Sequence, residues 1–170
     1  MKEWEFSLVL EGDLWNPVMV EKLDAQDATI GVADGVAYAD FAREAPSLPV
    51  ALISAIRDVE SVPGLRVLRV EPDDLVTVAE IARRLGRSRE SVRLLASGER
   101  GGGDFPPPIS HLRSRGRLWR WSDVASWADR LDEEERGNAR FVGLVNAALE
   151  LRERTALDDD QRKLLESLAV

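Results

Sequence analysis

A chain of 170 residues, 44% hydrophobic and 32% charged, has room for one medium domain or two small ones, and no apolar run approaches the roughly 18 residues of a membrane span. With no cysteine and a single histidine, His111, the sequence excludes disulfides, thiolate nucleophiles, cysteine-ligated zinc fingers and histidine clusters. The net charge of −8 is unevenly spread: residues 1–75 hold 6 Lys/Arg against 15 Asp/Glu (net −9), residues 76–127 hold 10 against 5 (net +5), and residues 128–170 hold 7 against 11 (net −4). Exposed charges further apart than about 8 Å are largely screened at physiological salt, so the basic middle stretch bears on the choice of partner more than the total does. Met1-Lys2-Glu3-Trp4-Glu5 lacks the basic region and apolar core of a signal peptide, so a cytoplasmic location is expected.

Trp4, Phe6, Leu8 and Leu10 alternate with Glu5, Ser7 and Val9, the period of a strand with one covered face. Asn16-Pro17 offers a capping side chain followed by a proline suited to a first helical position, predicting a short helix with Val18, Met19, Val20 and Leu23 that ends near Asp24. Residues 29–33 and 36–41 flank Asp34-Gly35, the two-residue signal for a type I′ hairpin. Ser47 is placed to cap a helix in which Ile53, Ile56 and Val59 recur near helical spacing, and Pro63-Gly64 ends it. Leu65 to Val70 reads as a fourth strand. This order of strands and helices predicts a ferredoxin-like domain over residues 1–74, for assembly or sensing. The topology alone names no function.

Thr77 and Glu80 stand at capping-box spacing, and Val76 and Ile81 at hydrophobic-staple spacing, which together start a helix over residues 78–85. Its inward positions are Ala79, Ala82 and Leu85, with Arg83 and Arg84 outward near the C-terminus, where cations are favoured. Gly86 supplies a left-handed turn and Ser88 caps a second helix, residues 88–97. Val92, Leu95 and Ala96 bury one side of this helix and leave Arg89, Glu90, Arg93 and Ser97 on the other, where a recognition helix presents side chains to the major groove. Arginine can pair bidentately with guanine, glutamate with cytosine, and serine with several bases or with phosphate.

A glycine-rich turn, Ser97 to Asp104, leads into Phe105-Pro106-Pro107-Pro108-Ile109, which is extended because each proline disfavours helix at its predecessor. Leu118-Trp119-Arg120-Trp121 returns as the second arm of a hairpin whose tip carries Arg113, Arg115 and Arg117, suited to phosphate or minor-groove contact. Ser122 is placed to cap a third helix with Asp123 at its positive end and Val124, Trp127 and Leu131 on its inner face. Five tryptophans raise the prospect of base stacking; Trp119 and Trp127 read instead as core. Beyond Leu131, Asp132 to Arg136 begins a solvated helix with Phe141, Leu144, Val145, Ala148, Leu149 and Leu151 as an apolar face. Asp158-Asp159-Asp160 reads as a helix start rather than a metal site, ahead of a last helix with Leu164, Leu165 and Leu168. Residues 132–170 thus form a helical tail that either covers the preceding domain or makes a dimer seam.

Thr77-Val78-Ala79-Glu80-Ile81-Ala82, Leu85-Gly86, Ser88 and Val92, then Phe105-Pro106 and Pro108, then Trp119, Val124 and Trp127, in that order and spacing, resemble the winged helix-turn-helix of the excisionase and AlpA-like regulators, related to the MerR superfamily. The likeness spans residues 75–131, about a third of the chain. The chain departs from the pattern in its long insert Gly98 to Gly103 and in the acidic domain that precedes the motif. As a whole it is also similar to helix-turn-helix proteins of actinobacteria, which implies no activity. The resemblance implies that helix 88–97 enters the major groove and that the 109–121 wing touches the backbone or minor groove. Arg87, Ser88, Arg89, Glu90, Ser91, Arg93, Ser97, Arg113, Arg115, Arg117 and Arg120 are the expected DNA-binding residues.

The fold class expected is therefore α+β: a ferredoxin-like domain, a winged helix-turn-helix and a helical tail. A sequence-specific DNA-binding protein, a transcriptional regulator, is the expected function, with double-stranded DNA read by a homodimer. Gly101-Gly102-Gly103 lies between a helix and a proline-rich strand and so lacks the context of a phosphate-binding loop. No catalytic residue, cofactor, metal or membrane contact is expected. Two alternatives stay open: a protein-interaction adaptor or antitoxin-like scaffold that keeps the helix-turn-helix shape, and a sensor taking a small-molecule effector through its N-terminal domain.

Overall fold

The computed structural model describes residues 1–12, 27–110, 116–129 and 131–154, together with residues 161 and 163. The chain is mixed α+β, built around a four-stranded antiparallel sheet of β1 (Lys2–Glu11), β2 (Ala28–Ala33), β3 (Val36–Ala45) and β4 (Arg66–Glu71), in the order β2-β3-β1-β4. The β2-β3 turn holds Asp34 at φ 51 and Gly35 at φ 80, the pair of left-handed conformations that a type I′ hairpin requires. Alternation in β1 puts Trp4, Phe6, Leu8 and Leu10 into the core, as the period predicts. Val9, expected on the uncovered side, is also buried, so the second face of the sheet is not uniformly solvated.

Helix α1 (Leu48–Glu60) covers the core face with Ala51, Leu52, Ala55, Ile56 and Val59. Ser47 occupies its N-cap position in extended conformation, but no helix amide donates to its hydroxyl; a proline in the first turn, whose missing N–H costs nothing there, does the starting instead. A buried cation that the sequence reading missed ties these layers together. Arg43 reaches Asp27 at 2.9 Å, Asp58 at 2.7 Å and Ser54 at 2.9 Å, and lies 5.0 Å over the Phe41 ring. Burial opposes its charge, yet hydrogen bonds and charges from Asp27 and Asp58 outweigh that and hold its pKa above the ordinary value.

A second, smaller core is built by β5 (Leu75–Val76), α2 (Val78–Arg84), α3 (Arg89–Ala96), β6 (Trp119–Arg120) and α4 (Trp121–Trp127). Its buried members include Val76, Ile81, Leu85, Val92, Leu95, Phe105, Trp119 and Val124. β5 and β6 pair antiparallel, with Leu75 opposite Arg120 and Val76 opposite Trp119.

Helix α5 (Glu133–Arg154) starts with a reciprocal cap: Glu135 N–H donates to Asp132 at 2.8 Å and Asp132 N–H to Glu135 at 3.1 Å. It then packs on the sheet, with Val145 and Leu149 in the first core and Phe141 and Val142 against it. The expected apolar face was too wide: Leu144 and Leu151 are 62% and 56% exposed and Ala148 is exposed too. The helix is turned so that Asn146 and Arg152 meet β4. Val70 N–H donates to Asn146 at 2.7 Å, Asn146 donates back to the Val70 carbonyl at 3.0 Å, and Arg152 donates to the Val67 carbonyl at 2.8 Å. Glu60 accepts from Val67 N–H at 3.1 Å, so the polar backbone of this edge strand is largely satisfied by side chains. Of the predicted helices, the one over residues 16–24 and the one with Leu164, Leu165 and Leu168 lie outside the described residues, as do Asp158 to Asp160. Among the described residues no helix is long and apolar enough to cross a membrane.

Candidate nucleic-acid interface

The first helix of the basic stretch starts as its sequence predicts, with Glu80 N–H donating to the Thr77 hydroxyl at 3.3 Å. The box does not close. The Glu80 carboxylate turns to Arg83 at 2.6 Å and Arg84 at 2.7 Å, and the hydrogen bonds from Arg83 and then Arg84 bring its pKa down to about 2. A carboxyl whose folded pKa is depressed contributes stability above its unfolded pKa, near 4.5, that is lost as pH falls toward about 2. Thermal unfolding between pH 6 and about 2.5 should therefore show a lower midpoint in acid for the smaller core, and Glu80→Gln should remove part of that dependence. An unchanged pH profile in Glu80→Gln would contradict the assignment.

Arg84, expected to face outward, does not. Its side chain is only 12% exposed, donates to the Asp73 carbonyl at 3.3 Å and lies 5.0 Å over the Trp121 ring. The three-atom methylene stem covers apolar surface while the guanidinium keeps polar partners. Trp121 is thus a structural platform in the folded chain.

Gly86, at φ 58, turns the chain, and Ser91 N–H donates to the Ser88 hydroxyl at 3.1 Å to cap α3. Val92 and Leu95 are buried, while Arg87, Ser88, Arg89, Glu90, Arg93 and Ser97 are exposed and Ser91 is half-buried, so the helix has the two faces its sequence predicts. The exposed cations are not equivalent. Arg93 is bound to Glu90 at 2.8 Å, with Glu99 at 3.8 Å; this hydrogen bond lowers the Glu90 pKa and raises that of Arg93. The Ser97 hydroxyl lies 2.8 Å from Glu99 and 3.2 Å from the Leu94 carbonyl. The guanidinium groups of Arg87 and Arg89 make no hydrogen bond or ion pair with a described residue. They stand exposed at the N-terminal end of α3.

The hairpin arms pair as expected, with Ile109 N–H donating to Leu118 at 2.9 Å and Leu118 N–H to Ser110 at 3.4 Å. Arg113 and Arg115 lie outside the described residues. Arg117 is half-buried and Arg120 half exposed, on the arm that pairs with β5 rather than on α3. Trp119 is buried and donates from Nε1 to the Pro106 carbonyl at 3.0 Å. Phe105 meets the Trp127 ring edge-on at 4.9 Å, so both tryptophans support the module's core.

The residue that joins the two cores is Asp74, which the sequence reading passed over. It is 5% exposed, and its carboxylate accepts from Ser122 N–H at 2.7 Å and the Ser122 hydroxyl at 3.2 Å, with Arg120 at 3.7 Å. Ser122 was expected to cap the third helix. In fact α4 begins at Trp121 with Arg120 at its N-cap, two residues earlier than a Ser122 cap would place it, and the first-turn amide of Ser122 is satisfied by this carboxylate from 48 residues away. Gly143 of α5 leaves the room required, because a Cβ there would lie 2.8 Å from an Asp74 oxygen. Beside the joint is a cavity of about 310 Å³ with Trp4, Phe6, Leu52 and Val70 from the sheet side and Arg84 and Trp121 from the other. Among the described residues no group of three or more His, Cys, Asp or Glu side chains is placed to hold a metal ion. Comparison with known proteins gives no matching family model, no match among curated proteins and no match among solved structures.

Proposed function

We propose that residues 75–131 are a winged helix-turn-helix DNA-binding domain of the excisionase and AlpA-like kind and that the protein is a sequence-specific transcriptional regulator acting in the cytoplasm. The observation that carries this reading is the pair Arg87 and Arg89, exposed at the N-terminal end of α3 and unpaired among the described residues. That end of a second helix is the part that meets base edges in the major groove. Arg93 would have to exchange Glu90 for a base or phosphate and so gains less on binding. The arm bearing Arg117 and Arg120 fits the role of a wing against backbone or minor groove. Regulation would come from occlusion or recruitment, with no covalent chemistry. The sheet order β2-β3-β1-β4, antiparallel throughout, supports a ferredoxin-like reading of residues 1–74.

Enrichment of a random double-stranded DNA pool on the purified protein at low salt tests the proposal. A defined motif should emerge with the wild type and be lost with Arg87→Ala/Arg89→Ala; a pool that stays unenriched over successive rounds would count against it. The cavity between the two cores favours a second reading, in which a small molecule with an apolar body binds at the joint and biases the DNA-binding domain.

A further inference from the structure

The two edges of the four-stranded sheet are treated differently. At the β4 edge, Asn146, Arg152 and Glu60 take up the outward backbone groups of Val67 and Val70. At the β2 edge nothing equivalent is found among the described residues. Ala42 N–H donates to the Asp27 carbonyl at 3.2 Å, which fixes the phase of the β2-β3 ladder: residues 29, 31 and 33 face β3, and Ala28, Ile30 and Val32 point their N–H and C=O groups away from it. Among the described residues no hydrogen bond reaches those outward groups.

Natural edge strands avoid pairing with other chains by carrying charges, prolines or bulges. The six residues Ala28-Thr29-Ile30-Gly31-Val32-Ala33 contain no charge and no proline, and their register with β3 runs without a shift. Val32 and Val36 beside the turn are 51% and 43% exposed. We infer that the β2 edge is the homodimer interface, two copies pairing β2 with β2′ antiparallel about a twofold axis at Ile30 to give a continuous eight-stranded sheet.

The strand is self-complementary in that register. Ile30 faces Ile30 of the second copy and Ala28 faces Val32, each pair exchanging both hydrogen bonds, and no like charges are opposed. Asp27 and Asp34 fall outside the paired stretch. A charged partner would find nothing on β2 to match its charge, whereas a second copy satisfies every outward group. Residues 1–75 carry net −9, so the copies repel at long range and added salt should strengthen the dimer.

Sedimentation equilibrium of the full chain without DNA tests this independently of DNA binding. The wild type should sediment at about twice 18.9 kDa at micromolar concentration, more firmly at higher salt. Val32→Lys, at an exposed position, and Val32→Pro, which removes an outward N–H, should both give monomers with unchanged circular dichroism. Since the chain has no cysteine, Ile30→Cys should form a disulfide-linked dimer on mild oxidation, while Val50→Cys on the exposed side of α1 should not. A wild-type monomer throughout, a dimer untouched by both Val32 variants, or equal cross-linking at residues 30 and 50 would overturn the assignment. A dimer that reads no DNA sequence would leave it standing and count against the proposed function alone.

Discussion

Trp119→Ala should unfold the smaller core while the four-stranded sheet persists. Trp119 is 1% exposed, packs among Val76, Phe105 and Val124, and donates to the Pro106 carbonyl, so its truncation removes the largest side chain of that cluster and a hydrogen bond together. Losses of about 3–5 kcal/mol are usual for such a deletion. A small module seldom has more than that to spare. Hydrogen exchange should show amides of α2, α3 and α4 losing protection and those of β1, β3 and α1 keeping it. Trp119→Phe, which fills most of the volume but donates nothing, should fall between. A protected α3 in Trp119→Ala would show that the core is organised around something else.

Asp74→Ala is the second large effect, about 2–3 kcal/mol, because a buried carboxylate that takes two donors from Ser122 leaves them without a partner when it goes. A double-mutant cycle with Gly143→Ala separates this from ordinary packing. In the wild type the added Cβ meets the Asp74 oxygen at 2.8 Å and should destabilise. In the Asp74→Ala background that clash is gone, and alanine in a helix interior should stabilise by up to about 1 kcal/mol over glycine. The sign of Gly143→Ala should therefore reverse between the two backgrounds in chemical denaturation. The same sign in both would rule out the direct contact.

Local signals in the sequence carried a long way. Asp34-Gly35, the Thr77 and Ser88 caps, the Gly86 turn and the alternation of β1 each depend on residues close in the chain, and each appears where it was expected. What was missed depends on distant partners. Ser122 is followed by helix in either reading, and only the fold brings Asp74 to its amide. Leu144 and Leu151 have the right spacing for burial, but the rotation of α5 is set by Asn146 bonding to Val70. Arg84 looks like a solvated cation until Trp121 is placed beneath it. Arg43 left a faint mark, as the one charge among the inward positions Ala39, Phe41 and Ala45 of β3. For the candidate interface, spacing separated the exposed side of α3 from the buried one. It did not distinguish Arg93, bound by Glu90, from Arg87 and Arg89, which have no partner among the described residues.

Affinity for double-stranded DNA as a function of salt, measured by fluorescence anisotropy on the enriched sequence and on a scrambled one, tests DNA recognition most directly. Binding should prefer the enriched sequence and weaken with salt, since each phosphate contact releases counterions with a slope of about −0.9 in log K against log salt. Arg87→Ala and Arg89→Ala should each weaken binding to the enriched sequence by about tenfold or more if they pair with bases. If they contact phosphate, each should instead lower the slope by about one on both sequences. Equal, weak binding of both DNAs at low salt, unchanged in Arg87→Ala/Arg89→Ala, would contradict a sequence-reading role for the helix that follows Gly86.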